Sequence, residues 1–102
     1  MNPSFSFSAK VWKYPGQAAW HFITLPNEIA AEIRELAGAS TRGFGSIRVK
    51  VGAGSSTWKT SIFPDAKTKS FLLPIKKAVR KAENIHENDS LDMHLELINL
   101  LV

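Results

Sequence analysis

The sequence predicts a mainly β chain with two short helices, folded as a six-stranded β-barrel with internal pseudo-two-fold symmetry. Two observations carry this. Leu25-Pro26 followed by Ala30, and Leu73-Pro74 followed by Ala78, lie about 48 residues apart, each between a strand-like and a helix-like run. Tyr14-Pro15 precedes the first copy and Phe63-Pro64 the second. A repeat near half of 102 residues implies duplicated β-β-α-β units. Neither half could bury both a sheet face and a helix stripe alone, so the halves, about 5–52 and 57–101, should interleave in a single domain, 1–102.

The elements follow in order. Phe5, Phe7, Ala9 and Val11 alternate with polar neighbours and Trp12, the period-two pattern of a half-buried strand. Tyr14-Pro15-Gly16 is a turn. The aromatic and β-branched run 19–25 is the second strand. Pro26 fits the first helical position, where its missing N–H costs nothing, and Glu28 suits the first turn. Ile29, Ile33 and Leu36 share a face of that helix, and Gly38 stops it. Ile47, Val49 and Val51 mark a third strand, with a turn over 52–55. Trp58, Thr60 and Ile62 mark a fourth, ended by Pro64-Asp65, and 70–73 is a short fifth. Pro74 opens a second helix with an apolar stripe of Ile75, Ala78, Val79 and Ala82. Leu91, Met93, Leu95 and Leu97 form one side of the last strand. The expected core includes Phe7, Val11, Ile29, Ile33, Ile47, Val49, Val79, Leu95 and Leu97.

Composition narrows the function classes. Apolar content of 44% with 22% charged residues is globular and argues against disorder. With no cysteine, disulfides, thiolate metal sites and thiol catalysis are excluded. The N-terminal stretch lacks the basic start and continuous apolar run of a secretory signal, and the final run LINLLV is too short to cross a bilayer. A cytoplasmic protein with no membrane association is expected.

Three segments resemble a known family: 42–52 (RGFGSIRVKVG), 56–64 (STWKTSIFP) and 71–97, with Arg42-Gly43-x-Gly45, Trp58-x-Thr60-Ser61 and Leu73-Pro74 through Ala82 the most specific parts. The chain resembles the family called domain of unknown function 1905. The resemblance implies a double-split β-barrel, the fold class of the small DNA-binding proteins AbrB and MazE. Asn88-Asp89 stands where the family usually has Gly-Asp, and asparagine should support the same left-handed turn. The resemblance implies no activity.

No catalytic, metal or cofactor site is legible. His21, His86 and His94 lie on different elements without metal-ligand spacing, and His21 reads as structural. His94 lies between Asp92 and Glu96 on one strand face, and that acidic row is expected to meet a cross-strand partner such as Arg48 or Lys50. The glycines of Arg42-Gly43-Phe44-Gly45 and 52–54 read as turn geometry rather than a phosphate loop.

The basic segment Lys76, Lys77, Arg80 and Lys81 is the strongest functional handle, a cationic helix face opposite the apolar stripe. Joined by Arg42, Arg48 and Lys59, it suggests a non-catalytic binding module for nucleic-acid backbone or an anionic small molecule. The competing use of these charges is a solubilising face paired to Glu83 and Glu87. One alternative is a metabolite-binding protein or small enzyme with a pocket near Trp58, Thr60, Ser61 and Arg42. Another is a protein-interaction domain using the apolar C-terminus, 98–102. Of the three tryptophans, Trp12 reads outward, Trp20 reads as a barrel plug, and Trp58 is either core or pocket wall. Oligomeric state is not legible.

Overall fold

The computed structural model describes residues 2–16, 19–38 and 45–98. Its elements run β1 (Ser4–Lys13), β2 (His21–Thr24), α1 (Asn27–Ala37), β3 (Ile47–Ala53), β4 (Ser56–Asp65), β5 (Ser70–Pro74), α2 (Lys77–Glu83) and β6 (Ser90–Leu97). The strands pair antiparallel and close in the cyclic order β1-β2-β5-β4-β3-β6, the expected six-stranded barrel with two helices. Exchanging β1 with β4, β2 with β5 and β3 with β6 returns the same cycle, so the connectivity is consistent with a duplication.

β1 and β4 are the long strands, and each is divided between two partners. β1 pairs with β6 over 4–10 and with β2 over 11–13. β4 pairs with β3 over 56–62 and with β5 over 63–65. Pro64 is therefore inside β4, opposite Phe71, whereas Pro15 lies beyond β1. The pairing with β3 ends at Ile62, so on that side no ladder bond requires the N–H that proline lacks.

The barrel is filled from every strand. Val11, Ile23, Val49, Ile62, Leu73, Leu95 and Leu97 are fully buried, as alternation predicts. Phe7 and Ile29, expected in the core, are only half-buried and pack against its edge. Phe7 lies on the part of β1 that pairs with β6, while the main helix contacts are α1 on β5 and α2 on β4.

α1 starts at Asn27 with Pro26 as N-cap, and it ends at Gly38, whose φ of +36° favours glycine. Its buried face is Ala30, Ile33 and Ala37; Leu36 stands outside, 48% exposed. The small alanines let the helix sit close to the barrel. α2 starts at Lys77, later than Pro74 predicts, because the ladder between β2 and β5 runs on through Phe22–Pro74 and the Ile75 N–H donates to the His21 carbonyl at 2.9 Å. Among α2 residues only Val79 is buried, with Ile75 before it and Ile85 after it; Ala78 and Ala82 are exposed. Asn84 caps this helix in the left-handed region, and Asn88 adopts φ +73° in the following turn, as expected.

The end of α2 is tied to the β3–β4 turn through Glu83. Its carboxylate accepts from the Ser55 N–H at 3.4 Å and from the Ser55 and Ser56 hydroxyls. The Ser56 hydroxyl, helped by the Ser55 groups, holds the Glu83 carboxyl below its usual pKa. Asp65 is likewise held low by the Thr68 hydroxyl and N–H, which close the β4–β5 turn. No helix among the described residues is long and apolar enough to cross a membrane.

Candidate functional site

The outer face of the sheet around β2 and β5 is aromatic where a solvent-facing sheet surface is normally polar. Inward alternation of Ile23, Phe71, Leu73 and Ile62 turns Phe22, Leu72, Pro74 and Phe63 outward. The register lines up Trp12, Phe22 and Pro74 in one cross-strand row and Thr24, Leu72 and Phe63 in the next. The Trp12 ring lies 5.2 Å from Phe22, centre to centre, and its indole N–H donates to the Thr24 hydroxyl at 2.9 Å. Trp20, just before β2, packs edge-on to Phe22 at 6.3 Å and beside Tyr14 at 6.5 Å. Trp20 nevertheless remains 63% exposed, Tyr14 51% and Phe63 45%. Clustered exposed aromatics of this kind mark a contact surface.

A groove of about 650 Å³ opens on this face, with Trp20, Phe22, Phe63, Leu72 and Pro74 as its floor. Lys76, Lys77 and Arg80 stand at its rim beside His21. Arg80 is half-buried and engaged: Nε donates to the Ile75 carbonyl at 3.2 Å and Nη2 to the Ala19 carbonyl at 3.4 Å. His21 Nδ1, 2.8 Å from the same Ala19 carbonyl, carries the proton that makes this contact a hydrogen bond. Arg80 and His21 thus fix the segment that presents Trp20. Lys76 and Lys77 are exposed, and neither has an ion-pair partner among the described residues. Glu83, the carboxylate expected to neutralise them, is turned to the β3–β4 turn instead. Among the described residues the groove lining contains no carboxylate and no hydroxyl. It can hold a flat apolar body and a negative charge together.

Residues 7–95 match the profile described as Domain of unknown function (DUF1905). The chain belongs to the DUF1905 family. No curated protein matches it significantly. Every residue of the groove lies within the DUF1905 segment.

The other sequence-predicted residues of this DUF1905 chain fall elsewhere. Lys81 is exposed in the last turn of α2, off the groove lining. Arg48 and Lys59 are exposed on the outer face of the β3–β4 ladder, Arg48 reaching the Ser61 hydroxyl at 3.5 Å and Lys59 standing opposite Lys50. Arg42 and the C-terminal residues 99–102 lie outside the described residues. Trp58 is core, 8% exposed, and its indole N–H has no partner among the described residues; Thr60 shares its face, while Ser61 points outward. The structure therefore does not gather Trp58, Thr60 and Ser61 around one pocket. Trp20, expected as a plug, is instead the exposed corner of the groove. Its parity was the overlooked signal: with Ile23 and Leu25 inward, the even-numbered Trp20, Phe22 and Thr24 face out.

A second, polar depression of about 810 Å³ lies over β1, β6 and β3. There Ser6 Oγ is 3.2 Å from His94 Nδ1, and the Ser8 hydroxyl donates to Asp92. The acid contacts the wrong serine for a relay: Asp92 does not orient His94, so these are two separate pairs rather than a triad. His94 is flanked by Ser6 and Gly52, and Glu96 of the acidic row stands opposite Lys50, as expected. Among the described residues no group of three His, Asp or Glu side chains is placed to hold a metal ion.

Proposed function

We propose that the protein is a non-catalytic binding module for an anionic partner, either nucleic-acid backbone or an anionic small molecule, held in the groove between the aromatic sheet face and α2. One observation carries the reading: Lys76 and Lys77, without a carboxylate partner among the described residues, rim a groove whose floor is exposed aromatic surface. A solubilising charge pair needs no such floor. Arg80 supports the site by holding the Trp20 segment, so it acts as a positioning residue. The absence of cysteine from the sequence is compatible with a cytoplasmic setting.

The test is fluorescence titration at low salt with thymidine monophosphate, inorganic polyphosphate and oligothymidylate, using the native protein and a Lys76→Glu/Lys77→Glu variant. Binding that weakens with salt and is lost in the variant, at unchanged melting temperature, is expected. Absence of association with all three anions refutes the reading.

A further inference from the structure

We infer that the anionic partner is a single-stranded nucleic acid, with bases on the aromatic floor and the backbone leaving along the outer face of β4; this rests on the groove being an anion site, as proposed above. The floor is the first reason. A phosphate or carboxylate alone requires cations and hydrogen-bond donors, whereas Trp20 and Phe63 offer ring surface that is 63% and 45% exposed. Rings of that kind stack on nucleobases without regard to sequence.

The path out of the groove is the second reason. Phe63, Ser61 and Lys59 alternate outward on β4, so one strand connects the groove to the β3–β4 ladder. In that ladder Arg48 faces Ser61 and Lys50 faces Lys59. The distance from Phe63 to Lys59 along the strand is about 13 Å, a span that a few nucleotides cover. The surface thus runs from Lys76 and Lys77, across the ring floor, to Arg48 and Lys59.

The charge beyond that path is the third reason. Lys50 stands opposite Glu96, and the outward residues Asp92 and Glu96 of β6 make the next strand acidic. The cationic stripe therefore has an edge, and a polyanion lying on it is confined to β4 and β3. A duplex hides its base faces within the stack, so it could use the cations but not the floor. A single strand uses both.

The test compares thymidine monophosphate, inorganic polyphosphate, oligothymidylates of about three and about ten nucleotides, and a duplex of the longer length. The longer single strand should bind more tightly than the shorter one and than the duplex. Trp20→Ala, at an exposed site, should weaken it roughly 5- to 100-fold, the loss of one base stack. Arg48→Ala/Lys59→Ala should weaken the longer strand, reduce its log–log salt slope by about 1.4, and leave the monophosphate unaffected. Melting temperatures of both variants check that the fold is intact. Duplex binding equal to or tighter than the single strand, or no loss in Trp20→Ala, overturns the inference. If the Lys76/Lys77 dependence persists in that case, the anion site stands and only the identity of its occupant fails. If no anion binds at low salt, both fall.

Discussion

Leu95 and Leu36 are both leucines on periodic apolar stripes, and truncating each to alanine should separate the barrel core from its surroundings. Leu95 is fully buried, and both edges of its strand are paired, opposite Phe5 on β1 and Val51 on β3. Deleting its three outer carbons forfeits about 2.4 kcal/mol of transfer free energy, at roughly 0.8 kcal/mol per buried carbon. A strand hydrogen-bonded on both sides of a closed barrel has little freedom to collapse into the space. A residual cavity of roughly 60–80 Å³ would add about 1.5–2 kcal/mol. The expected loss is therefore about 4 kcal/mol, a large share of the roughly 5–15 kcal/mol that holds a domain together. It corresponds to a fall in melting temperature on the order of 15–30 °C. Leu36 is 48% exposed on α1, so its truncation should cost no more than about 0.5–1 kcal/mol. Denaturant titration followed by circular dichroism measures both, with the slope required to stay constant. A Leu95→Ala loss below about 1 kcal/mol, or equal losses at the two positions, would refute the assignment of the inner face.

Two further outcomes are expected. Because the Glu83 carboxyl is held below its ordinary value by Ser56 and Ser55, the ionised form favours the folded state. That contribution is complete above the unfolded pKa and is lost as pH falls through the folded one, so melting temperature should decline on acidification below about the ordinary value of 4.5. Glu83→Gln should flatten the decline, and an unchanged pH profile in that variant would show that the tie to the β3–β4 turn is not made. Trp58→Phe removes an indole N–H that is buried without a partner among the described residues, so relief of its desolvation should offset lost ring area and leave stability within about 1 kcal/mol of wild type. A loss above about 3 kcal/mol would mean that this N–H is bonded.

Much of the fold was legible because alternation and proline placement act locally. Val11, Val49, Leu95 and Leu97 went to the interior on parity alone, and Leu25-Pro26 sits between strand and helix, whereas Leu73-Pro74 closes β5 itself. The start of α2 was not legible, since it depends on the β2–β5 ladder continuing to Ile75, a pairing between strands distant in sequence. Leu36 misled for a related reason. Helical spacing makes Ile29, Ile33 and Leu36 a stripe, but the barrel surface beneath α1 accepts Ala30, Ile33 and Ala37. Of the candidate site, the lysines were visible as a charge cluster. The floor was not, because it is assembled from β2, β4 and β5, and Trp20 and Phe63 meet only once those strands pair.

The two Leu-Pro copies also indicate why the groove lies on one side of the barrel. In both halves a helix arginine reaches a backbone carbonyl ahead of a short strand: Arg34 donates to Lys69 before β5, and Arg80 to Ala19 before β2. These contacts are consistent with a repeated framework, while the residues around it differ. Aligned on Leu-Pro, Lys76 and Arg80 correspond to Glu28 and Glu32, and Trp20 and Phe22 correspond to Thr68 and Ser70. One side carries acids and Thr68, with Ser70 buried and its hydroxyl donating to the Leu25 carbonyl, and the other carries cations and rings. Framework maintenance alone would not require aromatic side chains to be exposed at one of two equivalent places, since exposing them favours aggregation over stability. The partner proposed above, which needs rings and positive charge together, would account for the difference, and it would dock on the side bearing Trp20, Lys76 and Lys77.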